Sequence, residues 1–148
     1  MPIRFEHAEP STASQETTFA LMDDLSRTAE WLPPCVSLTN TTRGVGEPNQ
    51  PGDALHYVFK QGGKQQEMTG QILEREEPSK LIAKYTDKAF DVVTDLRVEP
   101  SGNGCITHHV IEITPKAFFG KLLSPLIKLG LKGQTRTAAA NLRALAES

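Results

Sequence analysis

Four histidines, two tyrosines and two cysteines are the residues of this 148-residue chain with the most obvious chemistry to offer. His109 stands out. An imidazole titrates near neutral pH and can take up or release a proton. In Cys105-Ile106-Thr107-His108-His109-Val110-Ile111, strand-like alternation puts Thr107 and His109 on one face and His108 on the other. Either the odd-numbered set (Cys105, Thr107, His109, Ile111, Ile113) points inward or Ile106, His108 and Val110 do. The first is preferred for its more apolar far end. Thr94, Tyr57 and Tyr85 lie on other strand-like segments and could share that interior. A buried polar group needs a partner, which a ligand oxygen or a trapped water can provide. Tyrosine equally packs with its ring buried and its hydroxyl at the rim. No carboxylate can be set beside His109 from spacing, so a structural or ligand-contacting role is preferred to general-base catalysis.

The remaining reactive groups point to less. Cys35 and Cys105 form no Cys-x-x-Cys and no metal spacing, so they read as reduced thiols of a cytoplasmic protein, with a bridge between them left open. Lys121, Lys128 and Lys132, spaced by seven and four, form one stripe on a helix. With Lys116 they suit either an anionic membrane or ligand head group, or simply a solvated face. Arg75 among Glu74, Glu76 and Glu77, and the pair Asp23-Asp24, read as solvated turn residues. There is no phosphate-cradling glycine loop, no Gly-x-Ser-x-Gly elbow and no dinucleotide fingerprint, so no cofactor is implied. A formal net charge of −2 gives no field that would favour nucleic acid. The opening Met-Pro-Ile-Arg-Phe-Glu lacks the pattern of a signal peptide. No charge-free run reaches the roughly 20 apolar residues of a membrane span.

The elements that must position these groups can be read from periodicity. Residues 3–8 alternate as a short strand that Glu9-Pro10-Ser11 closes. Ser11 or Thr12 then caps a helix, with Gln15 or Glu16 completing a capping box. Phe19, Met22 and Leu25 form its apolar face. Residues 28–31 give a further helical turn, stopped by Trp31-Leu32-Pro33-Pro34. Strand patterns follow at 36–43, 54–60, 65–75, 81–86, 90–99 and 105–113, joined by Gly-, Pro- and Asn-rich turns. These six form an antiparallel meander with a polar outer face. Leu55, Tyr57 and Phe59; Met68, Gly70 and Ile72; Leu81, Ala83 and Tyr85; and Phe90, Val92, Thr94 and Leu96 share its inner face.

The C-terminal stretch is the longest helical segment. Thr114-Pro115 and Ser124-Pro125 both read as an N-cap followed by proline at the first helical position. That predicts a short helix near 115–124 and a main one over 125–146. Phe118, Phe119, Leu122, Leu126 and Leu129 leave most of the circumference apolar before about residue 131. Such a helix must be buried, cover a cavity or meet a lipid-like surface. Beyond it, Leu131, Thr135, Ala138, Leu142 and Leu145 recur at helical spacing. Gly120, Gly130 and Gly133 weaken the segment, either to let it move or to let it pack closely on the sheet. The length and mean composition fit one domain, residues 1–148.

The order strand, short helices, strands, long helix, together with its punctuation, resembles the START-like (SRPBCC) superfamily and within it the polyketide cyclase/dehydrase and lipid-transport group. The resemblance is carried by Trp31-Leu32-Pro33-Pro34, by Pro51-Gly52-Asp53, and by Gly70-Gln71-Ile72-Leu73-Glu74-Arg75-Glu76-Glu77-Pro78. It continues in Val98-Glu99-Pro100-Ser101-Gly102-Asn103-Gly104, with Cys105 where the family often has threonine. It implies an α+β helix-grip fold: a curved seven-stranded antiparallel sheet around a long C-terminal helix, with two short helices after the first strand. It also implies a cavity for a small hydrophobic molecule between sheet and helix, as in lipid and sterol carriers, quinone-binding proteins and cyclases. The ligand-contacting residues would be Trp31 at the mouth; Tyr57, Phe59, Met68, Tyr85, Phe90, Thr94, Thr107 and His109 on the sheet; and Phe118, Phe119, Leu122 and Leu126 on the lid. A cyclase- or dehydratase-like enzyme using His109 and a tyrosine is the alternative, and an interaction module with a solid core the third reading. In this fold the first and last strands are neighbours, which would bring His7 to the histidine pair. Only one of His108 and His109 could join it, so no metal site is expected.

Overall fold

The computed structural model describes residues 2–44, 46–61, 63–116 and 124–148, the side chains of 124–129 excepted. The chain runs β1 (Ile3–Ser11), α1 (Gln15–Asp23), a 3-10 turn (Leu25–Arg27), α2 (Thr28–Trp31), β2 (Cys35–Asn40), β3 (Ala54–Gln61), β4 (Lys64–Glu76), β5 (Lys80–Thr86), β6 (Phe90–Ser101), β7 (Gly104–Pro115) and α3 (Ser124–Glu147). The strands make one seven-stranded antiparallel sheet in the order β1-β7-β6-β5-β4-β3-β2. The sheet is thus the six-strand meander with the first strand added beside the last. α3 packs along β1 and against α1 and α2. Leu131, Thr135, Ala138 and Leu142 are buried along it, as their spacing predicts, while Lys132, Arg136 and Arg143 are exposed. No described helix is long and apolar enough to cross a membrane.

Several boundaries differ from the sequence expectation. β1 does not stop at Glu9 but runs through Pro10, which stands opposite Ile106. β1 is a sheet edge, where a missing N–H need break no ladder bond. Ser11 is therefore strand, and the N-cap of α1 is Ser14, whose side chain accepts from the Thr17 N–H. Thr114 and Pro115 open no helix either. They extend β7 opposite Asp91 and Phe90, two residues beyond the last β1 pair at Ile113. The expected helix near 115–124 otherwise falls on residues 117–123, outside the described residues, as do Phe118, Phe119 and Leu122. At Gly130 and Gly133 an added Cβ would meet nothing within 4 Å among the described residues, so packing against those residues does not explain these glycines. Lys116 leaves the lysine stripe altogether: its ammonium donates to Thr86 Oγ1 and the Asp87 carbonyl.

The curvature has a local cause. The ladders shift register between Cys35 and Ser37 and between Ile72 and Glu74, so Val36 and Leu73 are bulge residues. A bulge bends its strand and sharpens the twist. Among the described residues these same two are the exposed large hydrophobics, at 41% and 42%. The second bulge also reverses the side-chain phase of β4. Arg75, opposite Leu81, thereby turns to the concave side. There its Nε and Nη2 donate to Asp23 Oδ1 and Oδ2 at 3.0 and 2.8 Å. The guanidinium also lies 5.7 Å from the Phe19 ring centroid. Asp23 and Arg75 are thus an ion pair holding α1 to the sheet, not solvated turn residues. Their side chains are only 17% and 11% exposed. Arg75→Ala is expected to lower stability by about 2 kcal/mol in urea denaturation, below the fully buried case because water still reaches the pair.

Phe19, Met22, Ile72, Val98, Cys105 and Leu142 are almost wholly buried. Neither cysteine is bridged, and both thiols are buried.

Candidate ligand-binding site

Along β6 and β7, packing changes midway. On β6, Val98 belongs to the solid core, whereas Phe90, Val92, Thr94 and Leu96 border open space. On β7, Cys105 and Thr107 are buried in the packed part, whereas His109, Ile111 and Ile113 border the same space. The result is a cavity of about 220 Å³ between the concave face, the α1–α2 segment and α3. Trp31, Tyr57, Phe59, Met68, Tyr85, Phe90, Thr94 and His109 all line it, and the expected inward parity of the strands is the observed one. The choice left open on β7 resolves to the odd-numbered set. His108 faces the other way and pairs with Glu99 at 2.8 Å.

Two expected positions need correction. Thr107 is not a lining residue: it sits where β7 pairs with β1 and donates to the Glu9 carbonyl. Trp31 is 5% exposed, so it forms an inner wall and not a mouth. Leu126 lies on α3 by its backbone, with its side chain outside the described residues. Sequence reasoning missed Thr28 and Leu32 near α2 and Gln134 on α3, which also line the space. The signal for Thr28 was its i, i+3 spacing from Trp31, which puts both on one helix face. Tyr57, Thr94 and His109 all border the cavity, which counts against a solid interior among the described residues there.

The polar groups follow from this placement. Tyr57 and Phe59 stack at 5.0 Å, and Tyr57 meets Tyr85 at 5.4 Å. Burial pushes both phenols well above their ordinary pKa, which keeps them neutral donors. Tyr85 packs across Gly70, its partner on β4. A Cβ there would stand 2.5 Å from the Tyr85 ring and 3.0 Å from the Lys84 carbonyl oxygen. Gly70→Ala is expected to force the ring aside and cost about 2 kcal/mol, read by urea denaturation.

His109 is held by a short relay. Its Nε2 lies 3.1 Å from Thr107 Oγ1, whose single proton goes to the Glu9 carbonyl at 3.3 Å. Thr107 then accepts from His109, which puts the proton on Nε2 and leaves Nδ1 an acceptor with no hydrogen bond among the described residues. Burial, and after it the charge of His7 directly across β1, lower its pKa to about 4. His7 is itself engaged by Glu9 at 2.8 Å, and Glu9 by Arg143 at 3.1 Å. Those bonds, the His7 one foremost, hold the Glu9 carboxyl below its usual range despite partial burial. Among the described residues no three His, Cys, Asp or Glu side chains converge as a metal would require. The Trp31 ring meets His109 edge-on at 6.4 Å. Two buried polar atoms, Trp31 Nε1 and Thr28 Oγ1, have no hydrogen-bond partner among the described residues.

Residues 2–147 match the family described as polyketide cyclase/dehydrase and lipid transport, and the chain belongs to it. Solved structures agree on the fold. A START superfamily protein from Mycobacterium smegmatis superposes with a TM-score of 0.79 at 15% identity, over 97% of both chains. The Zhui aromatase/cyclase from Streptomyces sp. R1128 gives 0.78 at 10% identity, over 99% of this chain and 94% of its own. The protein TTHA0849 from Thermus thermophilus gives 0.77 at 17% identity, over 99% of this chain and 97% of its own. At such identities the likeness carries the fold alone. No curated protein sequence matches the chain.

Proposed function

We propose that this protein binds a small hydrophobic molecule, of lipid, quinone or polyketide type, in the cavity under α3. The observation that carries the reading is an apolar-lined space of about 220 Å³, two of whose lining residues hold buried polar atoms without a partner among the described residues. A native interior normally leaves neither. A cavity of roughly 150 Å³ suffices for benzene, so this one takes a ligand portion somewhat larger than one ring. Affinity would come from desolvation at about 25 cal/mol per Å² of apolar surface, and orientation from one or two polar contacts. We read residues 1–148 as one such binding domain, acting in the cytoplasm.

The test is thermal stability and native mass across a panel of lipids, quinones and polyketide-like aromatics. A saturable rise in Tm with a matching mass shift is expected for at least one class. Absence of binding across all three classes would remove the proposal.

Cyclisation or dehydration by His109 with a tyrosine is the second reading, favoured by His109, Tyr57 and Tyr85 lining the same cavity. Against it, burial makes His109 a weak base, and among the described residues its hydrogen bond goes to Thr107, not to a tyrosine. That reading requires turnover that His109→Ala abolishes while the protein stays folded.

A further inference from the structure

The two unpartnered atoms belong to residues three apart in sequence that line the same cavity. Thr28 and Trp31 are the first and last residues of α2, three apart, and therefore on one face of its single turn. Both side chains line the cavity, and they are 2% and 5% exposed. Each offers a proton: the indole Nε1–H can only donate, and the threonine hydroxyl can donate as well as accept. A buried donor left unmatched loses its hydration with nothing in return. Neither atom is drawn into the hydrogen bonds that close α2, which run through the Leu32 N–H to the Thr28 carbonyl and from Asn141 to the Trp31 carbonyl.

We infer that Thr28 Oγ–H and Trp31 Nε1–H form an oxygen subsite for the carbonyl group of a neutral, ring-containing ligand. The inference rests on the cavity being a ligand site and narrows what that ligand is. One acceptor oxygen has two lone pairs and can satisfy both donors at once. The ligand should be neutral because a buried carboxylate needs a counter-charge. Among the described lining residues the only cation is Lys60, which is exposed, and Asp87 adds a negative charge. A saturated hydrocarbon chain would fill the space but leave both donors unmatched.

The protein has one tryptophan, so indole-labelled protein gives a single Nε1–H resonance belonging to this subsite. Four probes of similar size separate the possibilities: naphthalene, 1-tetralone, 1-naphthoate and decane. With 1-tetralone, the Nε1–H signal is expected to move downfield. Its affinity should exceed that of naphthalene about five- to tenfold, the worth of one or two neutral hydrogen bonds. Thr28→Val, which keeps the shape, and Trp31→Phe should each bring the tetralone-to-naphthalene affinity ratio, taken within the same variant, toward one. If naphthalene and tetralone bind equally with an unmoved indole signal, the subsite is wrong while the cavity proposal stands. Tighter binding of naphthoate or decane than of tetralone would overturn the neutral-carbonyl assignment in the same way. If none of the four binds and the indole signal stays fixed, the subsite falls with them. The cavity proposal is then judged separately on the wider panel. Should Trp31→Phe fail to fold, Thr28→Val with the indole signal of the otherwise intact protein decides alone.

Discussion

Lowering the pH from 7 to 4.5 should cost this protein about 2 to 3 kcal/mol of stability through His109 alone. The cause is geometric. His109 stands on β7 at the boundary between packed core and cavity, 2% exposed, with its one strong bond to a neutral hydroxyl. Burial disfavours the imidazolium, and the cross-strand His7 disfavours it further, so the folded pKa falls from the ordinary 6.5 to about 4. The unfolded chain takes up a proton near pH 6.5, where the native state does not. Stability is therefore complete above pH 6.5 and drains away as pH falls toward 4. The full difference, at 1.36 kcal/mol per pH unit, is about 3 kcal/mol. Urea denaturation at closely spaced pH values should show a slope in wild type that His109→Leu flattens. At pH 7 the variant should lose only about 1 kcal/mol, the worth of the Thr107 bond. Carboxylates held below their usual range, such as Glu9, add their loss only at lower pH. Equal slopes in the two proteins would show that His109 is not the buried neutral base described here.

The inward parity of the meander was legible because a strand exposes its two faces by strict alternation, and a polar outer face fixes the phase. Tyr57, Thr94 and Tyr85 could be placed inside on that basis alone. The phase holds only until a strand is interrupted. The bulge at Leu73 lies between two polar-flanked positions with no glycine or proline to announce it. Past it alternation no longer gives the phase, and Arg75 among its glutamates reads as a solvated turn residue when its side chain in fact turns inward to Asp23. The other bulge, at Val36, hides in a short strand for the same reason. Boundaries set by pairing were equally hard to read. Pro10 and Pro115 look like strand breakers, yet each sits where one side of its strand has no ladder to break, a fact that belongs to the partner strand. For the site, the residue types could be guessed but not their states. That His109 is neutral with its proton on Nε2 depends on Thr107 being claimed by the carbonyl of Glu9, a contact between the two ends of the chain. That Thr28 and Trp31 lack partners depends on what α3 and β7 leave uncovered.

Gly104→Ala should be the most damaging alanine substitution among the described glycines. β7 begins at Gly104, and its backbone passes directly against the end of β1, where Ser11 pairs with Cys105. A Cβ on Gly104 would collide with the Ser11 carbonyl oxygen and press on Thr12 Cα at 3.0 Å. These are backbone atoms and cannot rotate away as a side chain can. Relief would require β1 to lift from β7, and more than one ladder bond is tied to that corner. Glu147, at the end of α3, accepts from Ser11 Oγ at 3.1 Å and from the Thr12 N–H at 2.9 Å. The Thr12 bond leads the interactions that lower its carboxyl to about 2. Displacing Ser11 and Thr12 therefore loosens the helix that covers the cavity as well as the strand that carries His7 and Glu9. A loss of about 4 kcal/mol is expected, above the usual range for overpacking. Hydrogen exchange should show it first in the β1 amides and the last turn of α3. The Glu147 carboxyl, followed by carbon-13 NMR, should move back toward its ordinary value. Removing the anchor alone, by Glu147→Gln, should loosen the last turn of α3 and leave the β1 amides protected. A Gly104→Ala protein with wild-type stability and an undisturbed β1–β7 ladder would mean that the two strands do not meet as closely as described, and that the placement of His7 opposite His109 needs redrawing.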